Sequence, residues 1–281
     1  MTIALVGLGI IGSVWANNLR ADGHTVRAWN RTPRPDFPNF TPDIPAAVAG
    51  ADFVFIVVAD PAAVESVLDA AMPHLGSRQI VIQSSTISPR WTLEFAQRVE
   101  KSGADFLEAP FTGSKPAAIA RETVFYLGGE AQLIERARPA LEPLSKKLLH
   151  IGPRGSASAL KLAMNLNIAG VAQTLTESLA FARKCGLTDD VFFEALGANV
   201  SKSGLVDLKE PKLRAADYAP QFSLKHLEKD LRLALETAQE NGIELPQTAA
   251  LRQLYLQGLE RGWGDEDFIG LERLLTEEKP N

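Results

Sequence analysis

Apolar positions in the first half of the chain fall into short runs separated by stretches of helical period. The runs Ile3–Val6, Thr25–Trp29, Phe53–Val58, Gln79–Ile82, Asp105–Glu108, Val124–Leu127 and Leu148–Ile151 predict strands. Ser13–Ala21, Pro61–Ala71, Pro89–Lys101 and Glu130–Leu141 predict helices between most of them. Such alternation predicts a parallel sheet covered by helices on both faces. Val54 to Val58 is apolar without alternation, as a central strand covered on both sides should be. The sequence leaves open whether the last two strands run antiparallel at the edge. After Gly155 the strand pattern stops. Ala157 to Lys184 holds no proline and only one glycine, Gly170. It is apolar nearly all round, at Leu160, Leu162, Met164, Leu166, Ile168, Val171, Leu175, Leu179 and Phe181. One helix of about 40 Å is expected, buried on most sides in a domain core or a subunit interface. Further helices are expected over Asp189–Leu196, Leu224–Asn241, Pro246–Arg261 and Asp265–Thr276. Gly186, Gly242 and Gly262 stand where C-caps belong, and Asp189, Asp190 and Asp265 suit helix starts.

The run Gly7-Leu8-Gly9-Ile10-Ile11-Gly12 lies between the first strand and the first helix. Strand, glycine turn and helix in that order hold a dinucleotide pyrophosphate. Gly7 permits the tight turn, Gly9 lets backbone approach the phosphates, and Gly12 lets helix and strand pack closely. The second strand ends in Asn30-Arg31-Thr32-Pro33-Arg34, with no acid at its tip to bind the ribose hydroxyls of NAD. Arg31 offers a planar charged fork to a 2′-phosphate, so NADP, as NADPH, is expected in preference to NADH. The plainer alternative makes Arg31 and Arg34 solvated loop residues. The expected architecture is α/β, a Rossmann-type, doubly wound, mostly parallel sheet over residues 1–156. The long apolar helix joins it to an all-α domain over 157–281, expected to serve substrate binding and oligomerisation.

In an open parallel sheet, ligands bind beyond the carboxyl ends of the strands. Three loops at that edge are rich in small and polar residues: Ala59-Asp60-Pro61, Gln83-Ser84-Ser85-Thr86, and Glu108 through Lys115. Any one alone reads as a plain turn; three beside the glycine turn point to a ligand site. Lys161 stands four residues before Asn165, on one helix face with apolar flanks. Burial lowers a lysine's pKa and makes it a usable proton donor. Asn165 could hold both the lysine amine and a substrate oxygen.

With these pieces in order, the sequence resembles the β-hydroxyacid dehydrogenase family, which includes 3-hydroxyisobutyrate dehydrogenases and glyoxylate/succinic semialdehyde reductases. The matching segments are the glycine run, Ser85-Thr86-Ile87-Ser88-Pro89, Glu108-Ala109-Pro110-Phe111-Thr112-Gly113-Ser114, Lys161-Leu162-Ala163-Met164-Asn165, Lys229-Asp230-Leu231, and Gly262 to Asp267. They span essentially the whole chain. The resemblance implies Lys161 as catalytic acid/base with Asn165 as its partner. It implies Thr112, Gly113 and Ser114 in substrate binding, Thr86 by the nicotinamide, and Lys229 near the cofactor, with Ala59 and Asp60 in the cofactor loop. The Glu-Ala-Pro opening looks most like the glyoxylate/succinic semialdehyde reductase branch. Thr112 stands where the family usually has serine, which narrows the pocket by a methyl group. Lys115 and Arg121 are extra cations near that loop, either for an anionic substrate or merely exposed.

The implied reaction is NADPH-dependent hydride transfer between nicotinamide and a small aldehyde or keto acid. Imine reductases share the scaffold but commonly carry Asp or Tyr where Lys161 stands, so imine reduction or reductive amination is the alternative. A non-enzymatic nucleotide-binding relative is disfavoured by Lys161. A net charge of −5 argues against a nucleic-acid surface. The longest apolar run, Phe53 to Ala59, is far short of a membrane span. The four histidines are scattered without ligand spacing, and no metal site is expected. The single cysteine, Cys185, reads as packing and fits a reducing compartment; with a strand starting at residue 2 or 3, a cytoplasmic protein is expected. The apolar helix leads to the expectation of a homodimer or a homotetramer built from dimers.

Overall fold

The strand residues turn alternately to the two faces of a sheet, and this chain supplies apolar side chains to both. The structure is a computed structural model that describes residues 1–276. Residues 277–281, the end of the expected 157–281 domain, lie outside the described residues. The first elements are β1 (Thr2–Val6), α1 (Ile10–Ala21), β2 (Thr25–Trp29), α2 (Ile44–Val48), β3 (Phe53–Ile56), α3 (Pro61–Ala71) and β4 (Ile80–Gln83). Then come α4 (Pro89–Glu100), β5 (Asp105–Glu108), β6 (Phe111–Thr112), α5 (Lys115–Ile119), β7 (Thr123–Gly128), α6 (Ala131–Leu141) and β8 (Ser145–Gly152). Ile3, Leu5, Phe55, Ile82 and Leu107 face one core with Trp15 and Leu19 of α1. Ala4, Val6, Val54, Ile56, Val81 and Phe106 face the other, with Val64 and Leu68 of α3 and Phe95 of α4. α2, α3 and α4 start where a polar cap precedes proline. Asp43 and Asp60 accept from Ala46 N (2.7 Å) and Ala63 N (2.8 Å) at the starts of α2 and α3.

The sheet order is β2-β1-β3-β4-β5-β7-β6, with β8 on β7. β1 to β5 are mutually parallel. β7 runs antiparallel to β5 and β6 and parallel to β8, so the last two strands oppose the first five. The connection from β6 to β7, which holds only α5, is too short to cross over and turns the chain back instead.

The chain divides into two units, Met1–Leu162 and Ala163–Asn281. The division falls inside the long helix rather than at 156/157. That helix is α7 (Ser156–Lys184), followed by α8 (Asp189–Gly197), α9 (Gly204–Ala215), α10 (Leu224–Glu240), α11 (Pro246–Glu260), a 3-10 turn Phe268–Glu272 and α12 (Arg273–Thr276). The C-terminal unit has its own core, with Ala169, Leu175 and Leu179 of α7, Leu227 and Leu231 of α10, Leu251 and Tyr255 of α11, and Phe268. Within this unit α7 buries one stripe, while Met164 and Phe181 are exposed. Cys185 is exposed just past the end of α7 and does not serve as packing. Asp265 does not start a helix; Asp267 instead caps the 3-10 turn. Among the described residues, no helix is long and apolar enough to cross a membrane.

Candidate active site

At the end of β1, Gly7 takes φ +110°, and a Cβ there would lie 2.1 Å from Val57 O. A Cβ on Gly12 would lie 1.9 Å from Gly7 O, so the first turn of α1 meets the strand end only through glycine. Gly9 is the N-cap of α1, with no side-chain cap and no acid in the first turn. The helix therefore presents unpaired N–H groups and the positive end of its dipole, as a pyrophosphate requires. Leu8 N donates to Asn30 Oδ1 at 3.0 Å and Gly7 N to Trp29 O at 2.8 Å, which fastens the turn to the tip of β2. Arg31 and Thr32 are exposed at that tip, while Ile10 and Ile11 begin α1. Arg34 is not an ordinary solvated residue. Its Nη1 donates to Leu8 O and Ser13 Oγ, both at 2.9 Å, and its guanidinium lies 5.7 Å from the Phe37 ring centre.

After β3, Ala59 is exposed, and Asp60 is committed to capping α3. After β4, Ser85 Oγ accepts from Val58 N at 2.8 Å, and the Gln83 side chain brackets the Ser85 backbone. These bonds fix the loop that carries half-buried Thr86. After β5, Thr112, Gly113 and Ser114 are half-buried. The Thr112 side chain hydrogen-bonds the Tyr126 phenol, whose pKa burial nonetheless raises. Lys161 is 9% exposed, and its Nζ lies 5.9 Å from the centre of the Phe111 ring, next to Thr112 in sequence. Within the N-terminal unit, the fold thus places Lys161 against the strand that carries Thr112. Burial pushes the Glu108 carboxyl above the usual carboxylate range, opposed by hydrogen bonds from Ser158 and Gly155.

Arg121 is not merely exposed. It forms a two-pronged pair with Asp22 (2.6 and 2.9 Å) and donates to Pro143 O at 2.8 Å. Lys115 is exposed.

In the C-terminal unit, Asn165 is 1% exposed. Its Nδ2 donates to Asp230 Oδ2 at 2.5 Å, and Lys229 Nζ lies 2.6 Å from Asp230 Oδ1. The Lys229 contact is an ion pair without hydrogen-bond alignment. Because a carboxylate only accepts, it fixes the Asn165 amide with Nδ2 toward Asp230. Asn165 Oδ1 is left buried without a hydrogen-bond partner, an acceptor suited to a donor on a ligand. Asp230 and Tyr126 were not among the residues expected at the site. Asp230 had a signal, its adjacency to Lys229 in the Lys229-Asp230-Leu231 segment. Among the described residues, no group of three or more His, Cys, Asp or Glu could hold a metal.

A family model for the NAD binding domain of 6-phosphogluconate dehydrogenase matches residues 2–152. A second, for the NAD-binding of NADP-dependent 3-hydroxyisobutyrate dehydrogenase, matches residues 155–275. The chain is 30% identical to glyoxylate/succinic semialdehyde reductase 2, chloroplastic, of Arabidopsis thaliana, over 99% of this chain and 80% of that one. It is 29% identical to 2-hydroxy-3-oxopropionate reductase of Escherichia coli, over 98% and 97%. A solved structure of Mycobacterium tuberculosis 3-hydroxyisobutyrate dehydrogenase with L-serine superposes with a TM-score of 0.87 at 27% identity, covering 98% of both chains. With a mixed Rossmann-like sheet followed by a helical unit, and both family models matched in order, the chain belongs to the β-hydroxyacid dehydrogenase family of NAD(P)-dependent oxidoreductases.

Proposed function

We propose that this chain is an NADPH-dependent reductase of a small aldehyde or keto acid, working reversibly on the matching β- or γ-hydroxy acid. The observation that carries the reading is Lys161, nearly buried on α7 and held over Phe111 beside Thr112 in sequence. The cofactor supplies the hydride. The glycine turn and the N-terminus of α1 bind its pyrophosphate, and Arg31, exposed past Asn30, pairs with the 2′-phosphate. Lys161 protonates the developing alkoxide, a contribution on the order of 10²–10⁴ in rate. Thr112, Gly113 and Ser114 orient the substrate carboxylate, and Thr112 is itself steadied by Tyr126. Asn165, oriented by Asp230, offers its buried Oδ1 to a substrate or lysine donor. Lys229, paired with Asp230, serves the cofactor side, as do Thr86, Ala59 and Asp60.

Reduction of C=N is the alternative on this scaffold. Lysine at position 161, where imine reductases commonly carry Asp or Tyr, favours the carbonyl. A homodimer, or a homotetramer built from dimers, and a cytoplasmic location complete the proposal. The test is a panel of glyoxylate, succinic semialdehyde and a cyclic imine, run with NADPH and NADH side by side. Carbonyl turnover with NADPH preferred is expected. Imine turnover alone, or a strong preference for NADH, would overturn the assignment.

A further inference from the structure

Glu108 ends β5 with no exposed surface. Its Oε2 accepts from Gly155 N at 2.7 Å, and its Oε1 from Ser158 N at 2.5 Å. These donors lie at the start of α7, where a helix leaves its own N–H groups without partners. A carboxylate there also meets the positive end of the helix dipole. Ser158 is tied in turn to α4, its Oγ 2.7 Å from Thr92 Oγ1. Across the sheet, Glu108 faces Gly128 of β7, and a Cβ at Gly128 would lie 1.9 Å from Oε2. The carboxylate thus occupies space that any larger residue would take.

Three residues separate each anchor from the next contact, from Glu108 at the end of β5 to Phe111 of β6 and from Ser158 to Lys161 on α7. The two arms meet again where Lys161 Nζ lies 5.9 Å from the Phe111 ring centre. We propose that Glu108 is a positioning residue that clamps the first turn of α7 to the end of β5 and thereby sets Lys161 against β6, which carries Thr112 and leads into Gly113. This rests on the reading of Lys161 as the proton donor. Proper placement is worth much to a reaction, since a displacement of about 1 Å can cost ~100-fold.

The test is Glu108→Gln in the full-length protein, alone and combined with Lys161→Ala. Glutamine keeps the size but turns an amide NH2 toward one of the two N–H donors. The expected result is a kcat lowered about tenfold to 100-fold, with the NADPH dissociation constant within about twofold. In the Lys161→Ala background, the same change should lower kcat by less than about twofold, since coupled residues are not additive. Ser158→Ala keeps the backbone donor and removes only the hydroxyl. It should cost a few-fold in kcat, and again nothing once Lys161 is gone. If Glu108→Gln fails to fold, Ser158→Ala decides the matter, since the Ser158 side chain also hydrogen-bonds Glu108; an unchanged kcat, or a loss that persists without Lys161, overturns the clamp. A folded Glu108→Gln enzyme with unchanged kcat, or a full loss persisting without Lys161, would overturn the clamp. If Lys161→Ala alone turns over at the wild-type rate, the reading of Lys161 fails. If only Glu108→Gln is harmless, the clamp alone fails.

Discussion

Lys209→Met should unfold the C-terminal unit at much lower denaturant. Lys209 on α9 and Asp267 are 1% and 0% exposed, and the Nζ reaches the two carboxylate oxygens at 2.7 and 2.9 Å. The ammonium also donates to Gln221 Oε1 at 3.2 Å and lies 4.5 Å from the Phe268 ring centre. Asp267 accepts further from Gln221 N (2.9 Å) and Ile269 N (3.2 Å), so it secures the lead-in to α10 and the 3-10 turn together. Burial pulls the Lys209 pKa down, while Asp267 supports the charged form. Methionine fills similar volume but leaves the buried carboxylate without its cation. Removing one partner of such a pair costs about 3–5 kcal/mol. With a urea m-value of about 2 kcal/mol/M, the midpoint should fall by ~1.5–2.5 M. Urea titration followed by near-UV circular dichroism reads this directly. Adding Asp267→Asn removes the stranded charge, keeps an acceptor for Ile269 N, and should recover more than about 1 kcal/mol. A midpoint shift below about 0.5 M, or a double variant no better than the single, would refute the reasoning.

Three further outcomes follow from the geometry. Arg121→Ala should cost at most about 1 kcal/mol, the range of half-exposed pairs, and leave the substrate KM unchanged, because Arg121 is spent on Asp22; a KM raised tenfold would return Arg121 to the substrate pocket. Gly12→Ala forces a Cβ against Gly7 O and should weaken NADPH binding more than about tenfold, a mismatch of at least ~1.4 kcal/mol, as measured by fluorescence titration; unchanged affinity would mean the turn does not cradle the pyrophosphate. Burial, then Lys229 and Lys225, lower the His226 pKa below the ordinary imidazole value of 6.5, against Asp230 and Asp265. The unfolded chain then binds the proton more readily, so this stability is present above about pH 6.5 and is lost as pH falls through the folded value. Melting temperatures between pH 7.5 and 5.5 should fall more steeply for the wild type than for His226→Gln, and equal slopes would refute the assignment.

β1 to β5, β7 and β8 were legible because each carries an apolar run. Gly186, Gly242 and Gly262 do lie just past helix ends at positive φ. Strand β6 was missed because two residues show no periodicity. Helix α9 was missed because Pro211 lies inside it and its left-handed cap is Ala216, not glycine. The cofactor turn was readable since its residues are contiguous. The contacts that steady the rest of the site join residues far apart in sequence: Glu108 with Ser158, Asn165 with Asp230, Arg121 with Asp22. Local pattern holds no record of such approaches. A cation near a loop, such as Arg121, therefore looked available when the fold had already committed it.

The central claim is that Lys161 gives the proton. Lys161→Ala, assayed at saturating NADPH and carbonyl substrate, measures it most directly, with the NADPH dissociation constant followed in parallel. The expected result is a kcat lower by about 10²–10⁴ with cofactor affinity within about twofold. Undiminished turnover in a folded, NADPH-binding variant would contradict the account.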